Sequence, residues 1–140
     1  MQSFRTLIAV LLAVGSLHAF AADDALYQDL GGGAGIRRIV ADLLPAVQAD
    51  ARISASFDGV DLEHLAEKLE EQFCDVAGGP CKYSGKDMQT IHEDLKLNHA
   101  HFNALVEDLQ AAMERNGVPS RVQNRLLARL APMHRDVVTR

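Results

Sequence analysis

Five of the six histidines lie beyond residue 60: His64, His92, His99, His101 and His134, with two cysteines, Cys74 and Cys81. Their spacing argues against a zinc centre. His99 and His101 are two apart, so on a helix their rings diverge by about 200°. The chain has no H-E-x-x-H and no C-x-x-C, the spacings that bring zinc ligands together. Cys74 and Cys81 are seven apart around Ala77-Gly78-Gly79-Pro80, which can turn the chain back. They read either as a bridge, worth about 2 kcal/mol by chain entropy, or as two buried thiols. A Cys–His nucleophile is disfavoured, because a bridged pair leaves no thiolate. There is no G-x-S-x-G, and no strand leads into the glycine-rich stretch at Gly31 as a phosphate loop requires. His92 is different. Met88 four residues back and Leu95 three ahead share its helical face. Such an imidazole is either a satisfied core residue or, in an apolar slot with no second protein ligand nearby, an axial ligand for haem iron. Spacing alone leaves both open.

The elements that must position these residues are helical, since apolar residues recur every three or four and strand alternation is missing. Ile36, Ile39, Val40, Leu43, Leu44 and Val47 form one stripe, which Pro45 should bend or interrupt. Leu62, Leu65, Leu69, Phe73 and Val76 form a second, closed by Gly78-Gly79-Pro80. Phe102, Leu105, Val106, Leu109 and Met113 form a third, with Asn98 as N-cap and Gly117 as stop. Val122, Leu126, Leu127, Leu130, His134 and Val137 form the last, and a shorter helical piece is expected from Lys86 to Leu95. The fold class is all-α. Glycines gathered at 31–35 and 78–79 suggest sharp turns between helices that cross, with room for something wide between crossing pairs.

Composition sets the outer limits. The chain has 140 residues, 48% hydrophobic and 24% charged, with a formal charge of −5, so one globular domain is expected and disorder is not. Nineteen acidic against fourteen basic residues give no footprint for nucleic acid. Arg5, the apolar run Thr6–Leu17 and Ala19-Phe20-Ala21 have the order of a secretory signal peptide, cleaved after Ala21. The run is too short for a membrane span, which takes about 20 apolar residues. The expected organisation is a leader over 1–21 and one domain over 22–140, working in a periplasm or otherwise exported, off the membrane.

Several short motifs fall in a recognisable order: Leu26-Tyr27-x-x-Leu30-Gly31-Gly32, Ala77-Gly78-Gly79-Pro80, Tyr83-x-Gly85, Met88-x-x-x-His92, His101-Phe102 and Val118-Pro119. Each alone is weak. Together, over roughly Ala25 to Val138, they resemble the group 1 truncated haemoglobins. The resemblance implies a shortened globin fold, a two-over-two helical sandwich around one haem b. It makes His92 the proximal iron ligand, whose other ring nitrogen should donate to an acceptor that fixes the tautomer. It places Leu44, Phe57, Leu65 and Leu69 on the distal side, and Tyr83, Met88 and Phe102 also at the cofactor.

The distal residues depart from that family's pattern. Leu44 stands where many relatives place a tyrosine, and Leu65 and Leu69 where relatives often carry glutamine. Ser56-Phe57 replaces a pair of phenylalanines. Losing a hydrogen bond to partly charged bound oxygen, at about 1–3 kcal/mol, weakens binding about five- to a hundredfold. Lys68 stands where some relatives carry an iron ligand; it reads as a haem carboxylate partner, a distal ligand or a solvated residue. His134 lies in a segment where a few relatives link a histidine to the haem, or is a half-exposed helix residue. His64 should point away from the iron, and His99 and His101 read as surface or capping residues. The function implied is reversible binding of O2, NO or CO. The alternatives are electron transfer with Lys68 on the iron and an external redox partner, NO dioxygenation with an external reductase, or a helical interaction protein without cofactor.

Overall fold

The computed structural model describes residues 24–140, so the expected leader over 1–21 lies outside the described residues. In chain order these form α1 (Ala25–Asp29), α2 (Gly32–Ala49), a 3-10 turn (Ser54–Phe57), α3 (Leu62–Val76), α4 (Met88–His92), α5 (His99–Arg115), α6 (Ser120–Leu130), a second 3-10 turn (Ala131–Met133) and α7 (His134–Val137). Among the described residues there is no strand, and no helix is long and apolar enough to cross a membrane.

The stripes become the core. Ile36, Ile39, Val40, Leu43 and Val47 of α2 are all at most 1% exposed, and they meet Phe73 of α3, Leu109 and Met113 of α5 and Val122 and Leu126 of α6. α2 packs on α3 and α5, and α6 packs on the same two helices, so the pair α2/α3 lies over the pair α5/α6. Three caps set the starts. The Asp61 carboxylate accepts the His64 N–H at 3.1 Å, and the Asp87 carboxylate accepts that of Thr90 at 2.9 Å. At α5 the cap is reciprocal: the Asn98 side chain accepts from the His101 N–H, and His101 Nδ1 accepts from the Asn98 N–H.

The structure modifies three expectations. Of the bend or interruption expected at Pro45, the interruption does not occur: α2 runs through it to Ala49. Ala41, whose carbonyl loses its partner, and Pro45 itself are both exposed, so water can take the lost bond. The piece expected from Lys86 to Leu95 is helical only over Met88–His92 and buries no residue fully; Lys96, at φ 51°, then turns the chain away. The last stripe also breaks, at Pro132, into α6, a 3-10 turn and α7.

The double glycine has a clear task. Gly78 takes φ 81°, and a Cβ on Gly79 would lie 2.5 Å from the Tyr27 ring and 2.7 Å from Cys74 Sγ. α1 can therefore lie against the end of α3, with the Tyr27 N–H donating to Ala77 O at 3.1 Å. Cys74 and Cys81 are joined, with Cα atoms 5.7 Å apart, which closes the alternative of two thiols. At the far end Thr139 and Arg140 donate their N–H groups to Leu97 O at 3.0 and 3.2 Å.

Candidate functional site

A cavity of about 390 Å³ lies between α3, α4, α5 and the C-terminal helices. Its walls explain a discrepancy in the second stripe. Leu65 and Leu69 have the spacing of core residues but are only half-buried, because they face this space. Met88 and His92 enter from α4, Phe102 and Leu105 from α5, and Met133 and Val137 from the C-terminal end.

His92 Nδ1 lies 2.6 Å from Met88 O, so the N–H sits on Nδ1 and donates one turn back. Nε2 keeps its lone pair and has no partner among the described residues. That is the arrangement an axial imidazole needs: one nitrogen free for metal, the other fixed by a backbone acceptor. α4 starts where it does because both carboxylate oxygens of Asp87 are engaged, by the Thr90 N–H at 2.9 Å and the Thr90 hydroxyl at 2.7 Å. Those donors hold the Asp87 carboxyl below the usual aspartate range.

Lys68 also lines the cavity, but its ammonium is committed at the rim. Nζ donates to Glu71 at 3.0 and 3.1 Å and to Ser84 Oγ at 2.7 Å. The Ser84 N–H and hydroxyl both donate to Glu71 Oε2, at 3.0 and 2.8 Å. These bonds, those from Ser84 first, draw the Glu71 carboxyl down to about 2. Neighbouring Tyr83 lines the cavity too, with its N–H on Asp75 and its hydroxyl donating to Lys86 O at 2.7 Å. Partial burial pushes the Tyr83 phenol up.

Three residues expected at the cofactor do not line this cavity: Leu44, Phe57 and His134. The register of α2 presents Leu43 to it, while Leu44, about 100° further round, packs against the core. Phe57 closes the 3-10 turn and also packs on the core. His134 is held one ring away, stacked on His99 at 4.7 Å and edge-on to Phe102 at 4.8 Å, with its Nε2 2.8 Å from His99 Nδ1. Gln72 was missed. It is 8% exposed, lines the cavity and gives its Nε2 to Met88 Sδ at 3.2 Å and Met133 Sδ at 3.6 Å. Its position was available in the sequence: residue 72 falls three after Leu69 and four before Val76, a polar residue on an apolar stripe.

An all-helical fold with an apolar cavity and, among the described residues, one cavity-lining imidazole whose outer nitrogen is fixed defines a small helical protein with an apolar ligand pocket. The comparisons define it further. The bacterial-like globin family model matches residues 25–139. The group 1 truncated hemoglobin GlbN of Synechocystis sp. is 34% identical over 119 residues, spanning 81% of this chain and 96% of that protein. The one from Mycolicibacterium paratuberculosis is 29% identical over 115 residues, spanning 82% and 85%. Among solved structures, the truncated hemoglobin of Tetrahymena pyriformis in its Fe(III) form superposes with a TM-score of 0.79 at 28% identity, covering 82% of this chain and 98% of that one. The 2/2 hemoglobin from Synechococcus sp., with covalently attached heme, gives 0.77 at 25% identity, with the same coverage.

The chain belongs to the bacterial-like globin family, among its group 1 truncated haemoglobins, a family of haem-based ligand binders. Its own residues fit that cofactor: the cavity is apolar, its volume lies in the range of about 300–1,000 Å³ seen for small-molecule sites, and His92 Nε2 is free.

Proposed function

We propose that the chain holds one haem b through His92 Nε2 and binds diatomic ligands, O2, NO or CO, on the α3 side of the cavity. Haem held by these residues would supply an iron that can bind the gas. The residues do the rest. Met88 O fixes the His92 tautomer through the Nδ1–H bond at 2.6 Å, and that bond is the observation carrying the reading. Leu65, Leu69, Phe102 and Leu105 line the space and exclude water. Gas binding is favoured over electron transfer because Lys68 Nζ is engaged by Glu71 and Ser84 at the rim.

The test is the visible spectrum of the purified chain with one equivalent of haem, beside His92→Ala. A Soret band that shifts on adding CO to the reduced protein, and changes form in the variant, is the expected result. Identical spectra from the two proteins would discard the proximal assignment.

We also propose that the protein is exported, to a periplasm or beyond. The basic–apolar–small order over residues 1–21 and the Cys74–Cys81 bridge both suit an oxidising compartment. Mass spectrometry of the protein recovered from that compartment should show a chain beginning at Ala22 with no titratable thiol. A chain retaining residues 1–21 would refute it.

A further inference from the structure

Lys68 is one of the residues lining the cavity, yet its charged end is turned to a polar corner built from Glu71 on the same helix and Ser84 on the following loop. An i, i+3 ion pair on a helix surface is ordinarily worth little. This one differs in three respects. The Lys68 side chain is only 22% exposed. Its partners close a triangle: Lys68 Nζ donates to both Glu71 and Ser84 Oγ, while Ser84 donates twice to Glu71. And the segment that carries Ser84 is itself fastened to α3, by the Cys74–Cys81 bridge and by the Tyr83 N–H on Asp75 at 2.9 Å. The glycine that follows serves the same corner, since a Cβ on Gly85 would collide with the Tyr83 ring.

Lysine has a flexible four-carbon stem and a compact head, so what holds the head decides where the stem lies. With Leu65 and Leu69 as its neighbours on the cavity face of α3, the stem has two places to go: along the rim or across the cavity. We propose that Glu71 and Ser84 are positioning residues that latch Lys68 at the rim and keep its side chain out of the space where a diatomic ligand binds. Neither residue lines the cavity; both act through Lys68. The inference rests on the haem reading above and adds what sets ligand access within it. In the absence of the latch, Lys68 competes with the incoming gas for one volume.

The experiment is CO titration of the reduced, haem-loaded chain, because CO is uncharged and does not respond to the change of charge itself. Glu71→Gln and, separately, Ser84→Ala are compared with wild type, and each is repeated in a Lys68→Ala background. If freed Lys68 fills the space nine-tenths of the time, apparent CO affinity falls about tenfold, in proportion to the competent fraction. Replacing Lys68 by alanine should restore it, which a merely structural role for Glu71 would not do. Unchanged CO affinity in both variants overturns the latch, and so does a loss that persists without Lys68. Should Glu71→Gln fail to fold, Ser84→Ala carries the test alone. A wild-type chain with no His92-dependent Soret band overturns the haem reading and this inference together; a normal band with unmoved CO affinity overturns the latch alone.

Discussion

The helical frame and the segment bearing His92 are held by different forces. In the frame, α2 alone places five large apolar side chains at 1% exposure or less against three other helices. In the segment, the five residues of α4 bury none fully, and Ile91 and Leu95 are 41% and 42% exposed. What fixes the segment is largely polar: Asp87 on Thr90, Tyr83 on Lys86 and His92 on Met88 nearby, with Gln72 on Met88 and the C-terminal N–H groups on Leu97 from afar. The frame thus draws on burial, which is cooperative and global. The segment draws on a few hydrogen bonds, each worth about 0.5–1.5 kcal/mol net, and sits at the low-stability end where binding elements usually lie. The shape is thus set by burial, and the ligand-bearing segment by a few hydrogen bonds.

The largest effect should come from the frame. Leu126→Ala, at a position with 0% exposure, should cost about 2–5 kcal/mol in denaturant unfolding. The protein that remains folded should keep its haem spectrum. A spectral change as large as the stability loss would erase the division between the regions. Next comes the link between them: Cys74→Ser with Cys81→Ser should lower stability by about 2 kcal/mol on the chain-entropy estimate, with faster hydrogen exchange in residues 82–92 than in α2. Uniform acceleration would count against a local tether.

His92→Ala should do the reverse of Leu126→Ala. Haem retention, followed by transfer to an acceptor protein, should weaken at least about tenfold, the lower range even for loss of an outer-shell partner. The thermal midpoint of the haem-free chain should hardly move.

Acid separates the regions more subtly. Glu71 is drawn from the usual 4.5 to about 2, and Asp75 and Asp87 are also lowered, chiefly by donated backbone N–H bonds. Carboxyls lowered by folding stabilise fully above their unfolded values and lose that contribution as pH falls through the folded ones. The rim and α4 should therefore loosen between about pH 4.5 and pH 2, visible as selective hydrogen exchange there. Asp108, on α5, has the opposite sign. Burial first, then the charge of Asp50, pushes its carboxyl up, and Oδ2 has no hydrogen-bond partner among the described residues. Its ionised form costs stability at neutral pH, so Asp108→Asn should raise the thermal midpoint slightly there and lose that advantage in acid. An equal effect at both pH values would contradict the sign.

The division also governs what the sequence discloses. Burial leaves a period behind, so the frame was legible: the three long helices start and stop within a few residues of where their stripes and caps place them. His92 stood out because it shares a face with Met88 and Leu95, but that spacing left a core residue and a ligand both open, and only the order of the surrounding motifs favoured the ligand. What failed was fine register and contacts across distance. Leu43 and Leu44 are both apolar, and nothing local says which one faces the cavity. The pairing of His99 with His134 joins residues 35 apart, and Glu71 meets Ser84 across a loop with no period at all. Gln72 was readable but passed over, because a single polar residue on an apolar stripe resembles noise until a cavity is seen beside it.

The two terminal hydrogen bonds to Leu97 O bear on how this protein is handled. Leu97 stands five residues beyond His92, so Thr139 and Arg140 brace the chain just after the short helix that carries the imidazole. A purification tag or reporter fused after Arg140 would pull on that brace. Immobilisation through the same end would load the loop mechanically. Fusions placed ahead of Asp24 leave it alone, and spectra from the two designs should be compared before either is taken as native.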